Sequence, residues 1–123
     1  MNKRKITSST RKNFECGMMG HNAVADITHL QNDIYRIVRT NNRPELRVII
    51  ADIYICGEAD IIDITNHYYD LDCIVLVGFY NRYSCSAKQL ALLSKIGLFN
   101  MREFYGALNF VGSRMLNYVR SEK

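Results

Sequence analysis

Hydrophobic and polar positions follow patterns along this chain that predict both helices and strands. Apolar residues recur at roughly 3.6-residue spacing over residues 24–37, which predicts a helix that begins at Asn22 and ends by Thr40. Residues 46–56 and 72–79 are rich in β-branched side chains and are apolar on both faces. Both runs are typical of central strands in a sheet that is covered on each side.

Residues 58–69 fit two different structures. Read as a strand, their alternation is imperfect, and they would pair antiparallel with the strand over residues 48–55. Read as a helix, they form an equally imperfect apolar stripe and would cross over the sheet between two parallel strands. The pattern leaves both readings open.

Two capped helices are predicted in the C-terminal third. Ser86 and Asn100 each precede an apolar helical stripe, and Gln or Glu follows each of them three residues later. A very short strand at residues 98–99 separates the helices, and the second stripe runs from Phe104 to Tyr118. The element order predicts an α/β fold with a small mixed sheet flanked by helices. A Rossmann-like parallel sheet is the alternative if residues 58–69 are helical.

Length and composition predict one compact domain. The 123 residues include 48% apolar and 23% charged residues, which excludes a disordered or fibrous chain. Residues 1–13 are polar and basic, and they predict a flexible N-terminal segment ahead of a domain over residues 14–123. The four cysteines follow no metal-binding or disulfide spacing, so a reducing, cytoplasmic location is expected. The longest apolar run is too short to span a membrane.

Charge is distributed unevenly along the chain. Residues 44–80 contain seven acidic residues and a single basic one, Arg47, within a chain whose formal net charge is +4. An acidic centre inside a basic surround is typical of a site that receives an anionic partner, and DNA or RNA is the expected class. The candidate phosphate contacts are Lys3, Arg4, Lys5, Arg11, Lys12, Arg82, Lys88 and Arg102. Tyrosines on either side of Arg82 are candidates for stacking on bases.

Two carboxylates in apolar surroundings are the first candidates for a metal site. Asp52 falls within a predicted buried strand, and Asp60 lies among isoleucines. A carboxylate in such a place is costly unless it binds a cation or accepts hydrogen bonds. Mg²⁺ prefers oxygen ligands of this kind. The structural alternative is that Asp52 accepts backbone N–H groups at a bulge and that Asp60 faces solvent.

The element order also resembles that of the restriction-endonuclease-like (PD-(D/E)xK) nuclease superfamily. In that family a helix precedes a hairpin that bears an Asp, and a strand ending in (D/E)xK, a helix, a short strand and a final helix follow. The stretch from Gly57 to Ile62 looks like the family's segment with its first metal-ligating Asp, so Asp60 carries over by motif. Where the family places (D/E)xK, this chain has the residues of 78–80, Gly-Phe-Tyr, with neither acid nor lysine.

The resemblance therefore implies a nuclease-like scaffold that binds nucleic acid and has a degenerate catalytic site. An active Mg²⁺- or Mn²⁺-dependent nuclease is a second hypothesis, which requires substitutes for the missing motif. Glu58 or Asp72 would replace the acid and Lys88 the lysine, so that the candidate catalytic residues are Asp60, Glu58 and Lys88. The candidate metal ligands are Asp52, Asp60 and Asp72. A third hypothesis is a homodimeric or partner-binding module that docks through its last helix and its tyrosine-rich surface.

Overall fold

The computed structural model describes residues 3–119 of the chain. The elements are β1 (Lys3–Arg4), α1 (Ser8–Met19), β2 (Val24–Gln31), β3 (Ile34–Arg39), β4 (Leu46–Ile53), β5 (Ile55–Cys56), α2 (Glu58–His67), β6 (Cys73–Leu76), β7 (Arg82–Tyr83), α3 (Cys85–Leu93), β8 (Gly97–Asn100), α4 (Met101–Ala107) and α5 (Gly112–Leu116). Residues 1–2 of the predicted N-terminal segment and residues 120–123 of the predicted domain lie outside the described part.

The main sheet is mixed. Its strand order is β2-β3-β4-β6-β8, in which β2, β3 and β4 form an antiparallel meander and β4, β6 and β8 run parallel. β1 pairs antiparallel with the last residues of β4, and β5 and β7 form a separate parallel pair. The chain therefore has the predicted α/β fold with a mixed sheet, and the wholly parallel alternative is wrong.

Helices cover both faces of the sheet. Alternate residues of the central strands point to opposite faces because the side-chain period of a strand is two. On the first face Val48 and Ile50 of β4 pack with Phe14 of α1 and Phe104 of α4. On the second face the neighbouring residues of β4 pack against α2 and α3. This alternation places Asp52 on the first face, at the point where β4 leaves the core.

The helix predicted over residues 22–40 is wrong, because these residues form the β2–β3 hairpin. A two-residue turn joins the strands, and Asn32 adopts the left-handed backbone (φ 48°) that such turns require. β2 is an edge strand with mostly exposed side chains, so its sequence carries no clear alternation. The helical spacing of apolar residues arose from two strands read as one element.

The ambiguous segment is a crossover helix. α2 connects the parallel strands β4 and β6 and packs Ile61 and Ile64 into the second core. Asp60 therefore lies in the first turn of a helix and not in a strand hairpin. The correspondence with the nuclease family's Asp-bearing hairpin at residues 57–62 is wrong.

The N-terminal region contains a helix that the sequence analysis did not predict. The boundary predicted at residue 13 falls inside α1, which buries Phe14 and Met18 in the first core. Thr7 caps this helix by accepting a hydrogen bond from the backbone N–H of Thr10 at 3.1 Å. Only two side chains, four residues apart, attach α1 to the core, and such a short stripe is hard to recognise in a polar sequence.

The C-terminal helices follow the prediction in part. The capping box at Asn100 and Glu103 is confirmed, with hydrogen bonds of 2.9 and 3.2 Å between side chains and backbone. The first of the two helices is capped by Ser84 and not by Ser86. The predicted last helix is divided into α4 and α5, and Gly112 takes a left-handed backbone (φ 60°) at the start of α5.

Candidate functional site

A cleft of about 800 Å³ lies at the carboxyl ends of the parallel strands, between α1 and α4. Its polar lining comes from three layers of the fold: Thr10 and Asn13 of α1, Asp52, Asn81 and Asn100 from the sheet and its loops, and Arg102 of α4. Ligands of open α/β sheets bind outside the carboxyl ends of the strands, and the volume lies within the range of small-molecule sites. The position and size of this cleft make it the candidate site.

A carboxylate and an amide form the polar floor of the cleft. Asn81 Nδ2 donates to Asp52 Oδ1 at 3.0 Å, while Asn81 Oδ1 accepts from the backbone N–H groups of Ile53 and Gly78 at 3.1 and 2.9 Å. A Cβ on Gly78 would lie 2.5 Å from the Asp52 carboxylate and 2.4 Å from the Asn81 amide. Glycine at this position therefore permits the two side chains to lie directly over the backbone.

Basic residues form one rim of the cleft. The antiparallel register places Arg4 of β1 opposite Asp52 of β4, so the two side chains share a face of the sheet. Lys3, Arg4 and Lys5 line a second cavity of about 360 Å³, together with Arg11, and the lining residues of the two cavities are different. Arg102 lines the opposite side of the cleft. We call Lys3, Arg4, Lys5 and Arg102 the basic rim; of these, Arg102 lines the cleft directly, and Arg4 lies opposite the residue whose carboxylate forms part of the floor.

Two exposed aromatic side chains lie in the loop after β6, and one of them, Phe79, lines the cleft. Phe79 and Tyr80 follow β6, and 88% and 71% of their surfaces are exposed. Their rings meet edge to face at a centroid distance of 4.8 Å. In the neighbouring loop the Arg82 guanidinium lies over the Tyr54 ring, 5.8 Å from its centroid. Large exposed aromatics of this kind are unfavourable in water and are typical of binding surfaces.

The structure does not bring the predicted metal ligands together. Asp60 Oδ2 accepts from the backbone N–H of Gly57 at 2.9 Å and caps α2. Asp72 Oδ2 accepts from the backbone N–H of Arg47 at 2.8 Å, at the opposite end of β4 from Asp52. Within residues 3–119 no group of three or more His, Cys, Asp or Glu side chains is arranged to hold a metal ion. Two of the three predicted carboxylates thus stabilise the backbone.

The other predicted catalytic residues are also apart from the cleft floor. Glu58 is exposed in the first turn of α2, where its carboxylate interacts favourably with the positive end of the helix dipole. Lys88 is 8% exposed, and its Nζ donates to the backbone carbonyl of Leu98 at 2.6 Å. Burial lowers the pKa of Lys88, and the nearby Glu103 carboxylate opposes this change. Lys88 covers the outer edge of β8, and its ammonium does not reach solvent where a phosphate would bind.

A partly buried hydrogen bond links β7 to α4 beside Lys88. Tyr83 donates its hydroxyl to the Glu103 carboxylate, with oxygen distances of 2.8 and 2.9 Å. Burial, together with this carboxylate, raises the pKa of Tyr83. The contact connects β7 to the first turn of α4, in which Arg102 lines the cleft. Tyr83 is therefore a structural residue and does not present its ring for stacking.

The remaining predicted phosphate contacts lie in different surroundings. Arg11 Nη2 forms an ion pair with Asp33 Oδ1 at 2.6 Å, so its charge is largely compensated. Lys12 and Arg82 are exposed, on α1 and on β7. Of the eight basic residues proposed from the sequence, four form the basic rim, two are exposed elsewhere, Arg11 is paired, and Lys88 is buried.

A polar network that the sequence analysis missed lies beneath Arg11. Tyr35 is fully buried, donates to Glu15 Oε2 at 2.6 Å and accepts from Arg11 Nη1 at 3.2 Å. Burial and the Glu15 contact raise the pKa of Tyr35 to about 12. His29 stacks on the Tyr35 ring at 4.8 Å. The network holds α1 against the β2–β3 hairpin. The helix predicted through residues 32–33 concealed the turn that brings these residues together.

All four cysteines are free thiols. Cys56 and Cys73 are buried, and burial raises the pKa of Cys56 to about 12. A thiol with so high a pKa is a poor nucleophile at neutral pH. These two side chains act as small apolar residues of the core.

No helix within residues 3–119 has the length and apolar character needed to cross a bilayer. No protein-family model, curated protein or solved structure matches this chain.

Proposed function

We propose that this chain binds nucleic acid through the cleft at the carboxyl ends of β4, β6 and β8. The observation that carries the proposal is a polar cleft lined by Arg102 and the exposed Phe79, with Arg4 placed by the strand register opposite Asp52 of the cleft floor. Lys3, Arg4, Lys5 and Arg102 supply positive charge for phosphates. Phe79 and Tyr80 supply ring faces for bases.

We also propose a kinship with the restriction-endonuclease-like superfamily, in which the family's motifs correspond to elements other than residues 57–62. From α1 to β6 the order is helix, hairpin, strand, helix, strand, which is the order expected of that family. In this alignment β2 and β3 form the hairpin, and β4 takes the place of the strand that ends in (D/E)xK. β4 runs into Asp52-Ile53-Tyr54, in which the acid is present and a tyrosine stands in place of the lysine.

We propose binding without cleavage. A nuclease of this type needs grouped carboxylates for its metal and a cation that stabilises the attacking hydroxide. Here Asp60 caps a helix and Lys88 is bonded to a backbone carbonyl. Incubation with Mg²⁺ or Mn²⁺ is expected to leave single- and double-stranded DNA and RNA intact. Metal-dependent cleavage that disappears in Asp52→Ala would contradict this half of the proposal.

The binding half is tested by the salt dependence of affinity. Arg4→Gln/Lys5→Gln removes two cations from the basic rim, and Lys95→Gln/Arg114→Gln removes two exposed cations from the other end of the molecule. If each rim cation contacts one phosphate, the slope of log K against log salt falls by roughly 1.4 to 1.8 in the rim variant. The matched variant keeps the slope of the parent protein. Equal losses in both variants, or no binding to any nucleic acid at low salt, would overturn the proposal.

The alternative of a homodimer or docking module gains no specific support from the last helices. The stripe that motivated it belongs largely to the protein's own core, since Phe104 and Met115 are buried against the first face of the sheet. Sedimentation of the free protein, in parallel with the binding assay, is expected to show a monomer.

A further inference from the structure

Charge is arranged within the candidate cleft so that phosphate and base are held in different places. The floor carries the Asp52 carboxylate and the Asn81 amide, whereas Arg102 lines the cleft from α4 and Arg4 lies opposite Asp52 on β1. A phosphodiester is repelled from the floor by Asp52 and attracted to the rim. The floor therefore suits a neutral group with hydrogen-bond donors, such as the edge of a nucleobase.

The aromatic pair is held on a rigid support. Phe79 and Tyr80 are the central residues of a turn, which the Asn81 backbone N–H closes by donating to the Gly78 carbonyl at 3.1 Å. Asn81 Oδ1 also accepts from the backbone N–H of Gly78 at the start of the turn and from that of Ile53 on β4. Phe79 lines the cleft although 88% of its surface is exposed. Because the backbone that carries the Phe79 ring is already fixed, less conformational entropy is lost when a flat ligand stacks on the ring.

We propose that the site selects single-stranded nucleic acid, with one unpaired base in the cleft stacked on Phe79 and its donor edge facing Asp52. This inference rests on the proposed function and specifies its ligand. A paired base in a duplex has both its ring faces and its donor edge occupied, so it offers nothing to Phe79 or to Asp52. A duplex meets only the cations of the basic rim.

The carboxylate also predicts a preference among bases. Guanine presents two neighbouring N–H donors that match a carboxylate, whereas thymine and uracil present one N–H between two carbonyl oxygens, which Asp52 repels. Strands rich in guanine are therefore expected to bind more tightly than oligothymidine. Asp52→Asn removes the repulsion and the charged acceptor, so it reduces this difference.

The test compares single strands and duplexes of about twelve nucleotides, a length within the usual site sizes for single-strand binding. Fluorescence anisotropy gives the affinity of each for the parent protein, Phe79→Ala and Phe79→Tyr. Tyr69→Ala is the matched control, because Tyr69 is 77% exposed in the loop before β6, away from the cleft. Phe79→Ala is expected to weaken single-strand binding by roughly fivefold to a hundredfold and to leave duplex binding unchanged. Phe79→Tyr and Tyr69→Ala retain the parental affinity.

The possible outcomes distinguish the single-strand inference from the proposed nucleic-acid binding on which it rests. Equal affinity for single strands and duplexes, with no effect of Phe79→Ala, overturns the single-strand inference and leaves salt-dependent binding at the basic rim. An equal loss of affinity in Phe79→Ala and Tyr69→Ala also overturns it. Failure of the parent protein to bind either form overturns the proposed function itself. Because the Phe79 ring is almost wholly exposed, its removal is not expected to affect folding.

Discussion

Removal of the Asn81 side chain is the sharpest perturbation of the cleft floor. Asn81→Ala deletes three hydrogen bonds at 2.9, 3.0 and 3.1 Å, two of which come from backbone N–H groups. Each such bond contributes about 1 kcal/mol, so the expected loss in the free energy of unfolding is roughly 2–3 kcal/mol. The chain has no tryptophan and eight tyrosines, so urea unfolding is followed by far-UV circular dichroism and tyrosine fluorescence. Asn66→Ala, at an exposed position on α2, is the control and is expected to change stability by less than about 0.5 kcal/mol.

Asn81→Asp separates the two roles of this side chain. The carboxylate still accepts from Ile53 and Gly78, but an oxygen now faces Asp52 where Nδ2 donated. The like charges raise the folded-state pKa of one carboxyl group above its unfolded value of about 3.9. Stability is therefore close to that of the parent below about pH 4 and is lost as the pH rises through the raised pKa. If Asn81→Asp is as unstable as Asn81→Ala at every pH, or if Asn81→Ala costs less than about 0.5 kcal/mol, the account of the cleft floor is wrong.

Three further predictions concern buried polar groups. The folded-state pKa of Tyr35 is raised from 10.0 to about 12. The contribution of Tyr35 to stability is therefore present below pH 10 and is lost as the pH rises from 10 to about 12. Over this pH range the free energy of urea unfolding is expected to fall by roughly 2 kcal/mol more in the parent protein than in Tyr35→Phe. Lys88→Met is expected to keep the parental affinity for oligonucleotides, because the Lys88 ammonium is bonded inside the protein, whereas Arg102→Gln is expected to weaken binding. A loss of affinity in Lys88→Met with none in Arg102→Gln would show instead that Lys88 contacts the oligonucleotide. Arg39 is 5% exposed and donates to three backbone carbonyls at 2.7, 2.9 and 3.1 Å. Arg39→Met is therefore expected to lower the free energy of unfolding by roughly 3 kcal/mol. The control Arg36→Met, at an exposed position on β3, is expected to change it by less than about 1 kcal/mol.

The elements that the sequence predicted well are those whose burial requires a recognisable amino-acid composition. β4 and β6 lie between two layers of helices, so both of their faces are apolar and β-branched. The Asn100 capping box is equally local, since its hydrogen bonds join residues three apart. The edge strand β2 and the helix α1 were missed because each buries few side chains. Their structure depends on contacts with residues distant in sequence.

The candidate site shows the same division between local and long-range information. Asp52 was recognised because a carboxylate in an apolar strand is conspicuous. Its partner Asn81 lies 29 residues away, and only the parallel pairing of β4 and β6 brings the two together. Asp60 and Lys88 have the residue types of a catalytic centre, but their actual partners are backbone groups next to them in the fold. Residue type therefore identified candidates, and long-range pairing decided which of them reach the cleft.

The most direct measurement is a titration of the ¹⁵N-labelled protein with a single-stranded oligonucleotide, followed by amide chemical shifts. The account predicts that the largest shifts occur at Gly78, Phe79 and the Asn81 side-chain amide, with smaller shifts at Arg4 and Arg102. Shifts concentrated around Arg43 and Arg114 at the other end of the molecule, or no shifts at any ratio of oligonucleotide to protein, would contradict it.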